Sequence, residues 1–290
     1  MNRRHHLRAV LILGAALTPV TITSQEPDTS TGAVVKAASA YIADYQRTLT
    51  SVVAEESQEQ EVVRRMPADP DAVRLRRTIS EVFFMFTPGT NDWMAIRDVI
   101  SVDARPVADR RDIRGDLETL ANHQVAAALK AQNSRFNIGR VTRNFSEPTL
   151  CLLVLDARHR QRFKFDRRRV QRDGDATLVT LAFTEKESPT LIWDATRGKI
   201  FSSGEIVVEA GSGRVRETTF RVRSGNINVE LATKYTADER LGMWVPASFR
   251  ESYEGGTNPR ALERNADYEH VVAVATYSNY RRFQTTVRIK

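Results

Sequence analysis

Hydrophobic positions recur along the chain with two different periods. Val34, Val35, Ala38, Tyr41, Ile42, Tyr45 and Leu49 return at steps of three and four. That spacing places them on one face of a helix ending near Thr48. From Thr50 the period becomes that of strands. LTSVVAEESQEQEVVRR reads as a long, polar, edge-type strand, and MPADPD at 66–71 as a turn with two prolines. LRRTISEVFFMF is the next strand, TPGTND a turn around Pro88 and Gly89, and WMAIRDVISVD its partner. One stretch breaks the alternation. Val82, Phe83, Phe84, Met85 and Phe86 are consecutive and large, so this strand is apolar on both faces. Both faces are therefore expected to be covered, the second by the region 104–147.

ADRRDIRGDLETLANHQVAAALKAQNSRF is rich in helix formers. Leu117, Leu120, Ala121, Val125, Ala128 and Leu129 form a stripe, and Asp116 and Glu118 stand in the first turn. PTLCLLVLDARHR reads as a buried helix, of a length that suits either a plug in a cavity or an element lying on a core. The last third is strand after strand. QRFKFDRRRVQ, ATLVTLAFTEK and SPTLIWD come first, and a hairpin then folds around Ala210-Gly211-Ser212-Gly213. INVELATKY, MWVPASFRESY, HVVAVATYSNYRRF and QTTVRIK follow. Turn signals every 8–15 residues without intervening helices predict antiparallel meander pairing of about ten or eleven strands.

The expected fold is α+β: a strongly curved antiparallel β-sheet, an incomplete, half-open β-barrel, with helices covering the concave face. No Gly/Ser/Pro linker divides the chain. Residues 25–290 are expected to form one curved-sheet domain with a helical insertion around 104–160. Residues 1–24 read as a signal peptide. Arg3, Arg4 and Arg8 precede the short apolar run Ala9–Leu17, Pro19 breaks it, and Ser24 marks the expected cleavage position. The alternative is an uncleaved N-terminal anchor. The expected location is periplasmic or secreted.

The chain has 290 residues and 41% hydrophobic content, enough for a sizeable core. Losing three arginines and no acids with the leader lowers the formal charge from +7 by three. A mildly basic surface of this kind is no nucleic-acid footprint. The single Cys151 cannot form an internal disulfide and is expected to be a buried, inert thiol.

Catalytic and metal signatures are missing. His123, His159 and His270 lie outside metal-ligand spacing of one another, and there is no HExxH, paired CxxC, nucleophile elbow or phosphate loop. No cofactor and no metal site is expected. Glu185 and Glu187 are the carboxylates to test as a pair, although exposed strand pairs are usually solvated. Arg167-Arg168-Arg169 and Arg281-Arg282 lack interleaved aromatics and read as solvated strand ends. What remains is apolar. Phe84, Phe86, Trp93, Phe183, Trp193, Trp244 and Phe249 are the candidate lining of an apolar ligand site. They serve equally as core, and the two readings stay open.

Several strings carry a resemblance. FTPGTNDWMAIRDVISVDARPVADRR, the PTL at 148–150 with its apolar run, RLGMWVPASFRESYE and ATYSNYRRF resemble a group of uncharacterised secreted bacterial proteins. The hairpin SGEIVVEAGSGRVRETTFRV, a strand ending in Tyr and then LGMWVP also resemble the periplasmic lipoprotein carriers and outer-membrane lipoprotein-sorting proteins. That resemblance implies a bent, unclosed barrel with a helical lid over an apolar cavity. It implies a non-enzymatic protein holding a lipid, an acyl chain or another apolar molecule, with transient membrane or envelope contacts. The chain departs from those carriers in length and in the extra region 66–147, which puts lipoprotein cargo in question. The competing expectation is a ligand-free envelope interaction protein with a filled core.

Overall fold

The computed structural model describes residues 26–50, 52–66, 69–87, 92–110, 146–194, 198–256 and 268–283, with isolated positions and short runs between 113 and 143. The proposed leader, much of the predicted middle helix, His123 and the last predicted strand QTTVRIK lie outside them.

Among the described residues eleven strands form a single antiparallel sheet, open at both edges. Across it the order is β4 (Arg105–Pro106), β3 (Asp92–Val102), β2 (Asp69–Thr87), β1 (Val52–Met66), β13 (Tyr268–Arg282) and β12 (Met243–Gly255). It continues through β11 (Ile227–Asp238), β10 (Val215–Ser224), β9 (Ser202–Glu209), β6 (Ala176–Glu185) and β5 (Phe163–Asp173). Strands β7 (Ile192–Asp194) and β8 (Gly198–Ile200) make a separate small hairpin. The sheet bends so that one face of almost every long strand meets a common core. Val52, Phe84, Trp93, Phe183, Phe220, Leu231, Phe249 and Tyr253 all belong to it. This is the expected half-open barrel.

Helix α1 (Thr31–Leu49) lies in the concavity. Ser30 caps it, its hydroxyl accepting from the Ala33 amide at 3.4 Å. Of the predicted stripe, Val34, Val35, Ala38, Ile42, Tyr45 and Leu49 are buried against the sheet, and Tyr41 is half-buried at its border. Gly213 lets it dock. This residue has φ +72, and a Cβ there would run into the Ala37 carbonyl of the helix. The apolar run Leu150–Leu155 fills the space beside α1. It is a 3-10 helix of six residues, shorter than the helix expected, and every one of them is buried. A segment apolar all round has no face to offer water, so it can only be a plug. The Ser39 hydroxyl donates to the Leu155 carbonyl, and Gln46 donates to Asp156 at 2.7 Å, so the plug is tied to α1.

The packing resolves the run at Val82–Met85. Phe84 points into the concave core and is 1% exposed. Phe83 points outward yet is 2% exposed. It joins a second cluster with Val53, Met94, Ile96, Ile113 and Leu129. The Phe283 ring meets it edge-on at 5.2 Å. Ile113 and Leu129 come from the region 104–147, so residues of that region pack on the outer face beside Phe83, as expected.

Two local expectations are corrected. Strand β1 is not an edge: from Val52 to Arg65 it lies between β2 and β13. The turn at 66–71 is also shorter than expected, because Asp69, Pro70 and Asp71 already belong to β2. Pro70 is tolerated there because β3 pairs with β2 only from Thr78 onward, which leaves that end of β2 an edge.

Candidate functional site

The concave face changes polarity along its strands. At one end, row after row is apolar: Val52 opposite Phe84, Ala54 opposite Val82, Phe84 opposite Ala95. At the other, Glu56 stands opposite Ser80, Gln58 opposite Thr78 and Gln60 opposite Arg76. All three inward residues of β1 in these rows are buried.

The apolar end is full. Phe84, Trp93, Phe183 and Phe249 sit in the main core, packed by α1 and the plug. The Tyr45 ring reaches Trp93 at 6.1 Å and Tyr235 at 6.5 Å, and burial pushes its phenol well above the ordinary range. Trp244 is different: half-buried, it stands at the rim with the Arg216 guanidinium 4.0 Å from its ring centroid. Trp193 stands apart from the others, 68% exposed on the small β7–β8 hairpin. The side chain of Phe86 lies outside the described residues.

A groove of about 640 Å³ opens where α1 meets the β11–β12 turn. Tyr41, Tyr45, Met243 and Trp244 give it an apolar wall, and Asp44, Arg214, Asp238 and Glu239 surround them. Tyr41, Met243 and Trp244 are also packed against the main core, so at this groove the core reaches the surface.

The polar end is held by ion pairs between distant residues. Arg97 binds Glu56 with both Nε and Nη2, at 2.8 and 3.0 Å. Burial alone lowers the affinity of this guanidinium for its proton, but the facing Glu56 carboxylate outweighs it, and the net shift is upward. Arg143 donates to Glu251 at 2.8 Å and to Gln60 at 2.5 Å. Ala273 and Ala275 of β13 are the register partners of Gln60 and Gln58, and their small side chains leave the room these long groups fill. Glu147 accepts from the Ala95 amide. Sequence reasoning missed this cluster. Its signal was the line of Glu and Gln at alternate positions of β1.

Glu185 and Glu187 do not form a pair. Glu185 is buried and accepts from the amides of Leu191 and Ser202, at 2.8 and 3.0 Å, and from the Ser202 hydroxyl. Glu187 is exposed beyond the end of β6. Cys151 is buried in the plug, and burial pushes its thiol up, away from the reactive thiolate. His270 shares a hydrogen bond with Ser252 at 2.9 Å. Among the described residues no group of three His, Cys, Asp or Glu could hold a metal ion, and no helix is long and apolar enough to cross a membrane.

No protein-family model and no curated protein matches the chain. Solved structures show a distant likeness. A LolA superfamily protein from Nitrosomonas europaea is 12% identical, covers 87% of this chain and 96% of its own, and superposes with a TM-score of 0.29. A Vibrio parahaemolyticus domain described as outer membrane lipoprotein-sorting is 9% identical over 86% and 93%, at 0.30. A DUF1329 family protein from Desulfovibrio piger is 11% identical over 88% and 95%, at 0.37.

Proposed function

We propose that this is a non-enzymatic binding protein of the periplasm or the extracellular space that holds an apolar molecule, a lipid or an acyl chain. The observation that carries the reading is the groove between α1 and the β11–β12 turn, where Tyr41, Met243 and Trp244 bring the core to the surface. An acyl chain entering there needs no polar partner. Each methylene taken out of water contributes about 0.8 kcal/mol. The surrounding Asp44, Arg214, Asp238 and Glu239 give a wet rim against which a polar head can rest. Helix α1 is the lid, and deeper binding requires it and the plug to give way.

The test is titration of the purified chain with a fluorescent fatty acid, alongside native mass spectrometry for co-purified lipid. Saturable binding, weakened at least about tenfold when Trp244→Ala and Tyr41→Ala together remove two aromatic walls, is expected. A lipid-free protein that binds neither a fatty acid nor a lipopeptide sinks the idea.

A second reading has its own observation. Phe84, Trp93, Phe183 and Phe249 are sealed by α1 and Leu150–Leu155, which leaves the apolar end filled. A ligand-free envelope interaction protein would look like this, and it predicts co-purification with another envelope protein and no lipid.

A further inference from the structure

The polar end of the cup encloses space of its own. A cavity of about 280 Å³ lies between strands β1–β3 and described residues of the later chain, among them Ala131, Ser134, Arg143 and Glu147. Its floor is Gln58, Thr78, Ser80 and Arg97, with Val99 and Phe136 as an apolar flank. Ala131 and Ser134 form an exposed lip. The volume is near the lower limit of small-molecule sites, about 300 Å³. The cavity shares no lining residue with the groove beside α1.

Its chemistry is specific in what it disfavours. The charged groups around it are engaged: Arg97 by Glu56, Arg143 by Glu251, Arg76 by the Phe136 carbonyl at 3.1 Å and by Asp103 at 3.9 Å, and Glu147 by the Ala95 amide. A charged ligand would have to break a buried pair to find a counter-charge. An apolar ligand would strand the floor amides and hydroxyls away from water. Gln58, Thr78, Ser80 and Asn137 each donate and accept, which suits a molecule that does both at several points. Among the lining residues two buried atoms lack a hydrogen-bond partner, the Ser80 Oγ and the Arg143 Nε, and in the surrounding pairs the Arg76 Nε and the Glu251 Oε2 lack one too. Buried polar atoms are rarely left so in a finished structure.

We propose that this pocket binds one small neutral polyhydroxylated molecule, of the size of glycerol, a cyclitol or a single sugar. Its hydroxyls meet the Gln58, Thr78 and Ser80 side chains, and its C–H face lies against Val99 and Phe136. The site is independent of the apolar-ligand reading.

Isothermal titration calorimetry on the full chain tests it, with glycerol, myo-inositol and glucose as separate probes and with acetate and phosphate as charged controls. Saturable binding of at least one polyol and of neither anion is expected. Ala131→Trp and Ser134→Trp, at the exposed lip, place a ring in the mouth without touching the core, so both should fold and both should abolish the signal. Fatty-acid binding in the same two variants should stay at the unsubstituted level. Absence of saturable heat from all three polyols, polyol binding that survives both lip variants, or an acetate or phosphate signal as strong as the polyol's overturns the proposal.

Discussion

Phe83 and Phe84 are neighbours in sequence that sit in different cores, and each is almost fully buried. Truncating either to Ala should therefore cost about 3–5 kcal/mol, the usual loss for a buried Phe. Urea unfolding of the two variants checks this, and a much smaller loss for Phe83→Ala would mean that the outer cluster is loose. Aspartate at either position should prevent folding. Arg143 belongs to another class. Removing it leaves Glu251 buried without its counter-charge, so Arg143→Met should cost about 3–5 kcal/mol. The double change Arg143→Met with Glu251→Leu should recover most of that loss, because an apolar pair of similar volume needs no compensation. A double variant no more stable than the single one would show that the cluster contributes through Gln60 and the wider network. These two residue classes also differ in how legible they were. Five large apolar side chains in a row can mean only double burial, and the reading needed no partner. Glu56, Gln58 and Gln60 looked like a wetted edge because their partners are remote: Arg97 is 41 positions away from Glu56, and Arg143 is 83 from Gln60. A local pattern does not show a counter-charge that arrives from another element.

Among the elements, α1 and the 3-10 plug move or stay together. The joint is Asp156, which accepts from Gln46 and from the Arg158 amide and side chain. Burial raises its pKa, but the Gln46 and Arg158 hydrogen bonds prevail and hold the carboxyl below its ordinary value. A depressed folded-state pKa contributes stability that is present above the unfolded value and lost as pH falls through the folded one. Acidification below the usual carboxylate range, about 3.9, should therefore loosen the joint in the native chain. In Asp156→Asn that part of the acid sensitivity should be missing, and stability curves between pH 5 and pH 2 compare the two. Gly213 bears on the same pair from the other side. Gly213→Val forces a side chain into the Ala37 backbone and strains φ +72, so α1 should detach while the sheet persists. Faster proteolysis within Thr31–Leu49 with unchanged β-sheet circular dichroism is the expected readout. The helical spacing of α1 revealed its buried face in advance. The 3-10 geometry of Leu150–Leu155 was not legible, because a run apolar at every position has no period to read.

On the scale of the whole molecule, the curved open sheet followed from the alternation of the last third, whose strands pair in chain order from β9 to β13. What alternation could not supply was the closure between the first and last strands. Strand β1 pairs with β13 through a seam running from Val52 opposite Arg282 to Arg65 opposite Tyr268. Across it Asn279 reaches Glu55, 224 positions away. The seam has a kinetic meaning. Strands β1–β4 can pair among themselves early, and β9–β13 can do the same, but joining the two sets closes the longest loop in the fold. Contacts so remote cost the most chain entropy before any of their energy is returned. Refolding should be slow and should end on this seam. A fluorescence pair placed across β1 and β13 should report after the hairpins have formed. Until then the unjoined edge of β1 offers a free row of backbone donors and acceptors. Glu55, Glu59 and Glu61 stand exposed along it, and charges so placed on a strand edge disfavour pairing with another chain in β13's place.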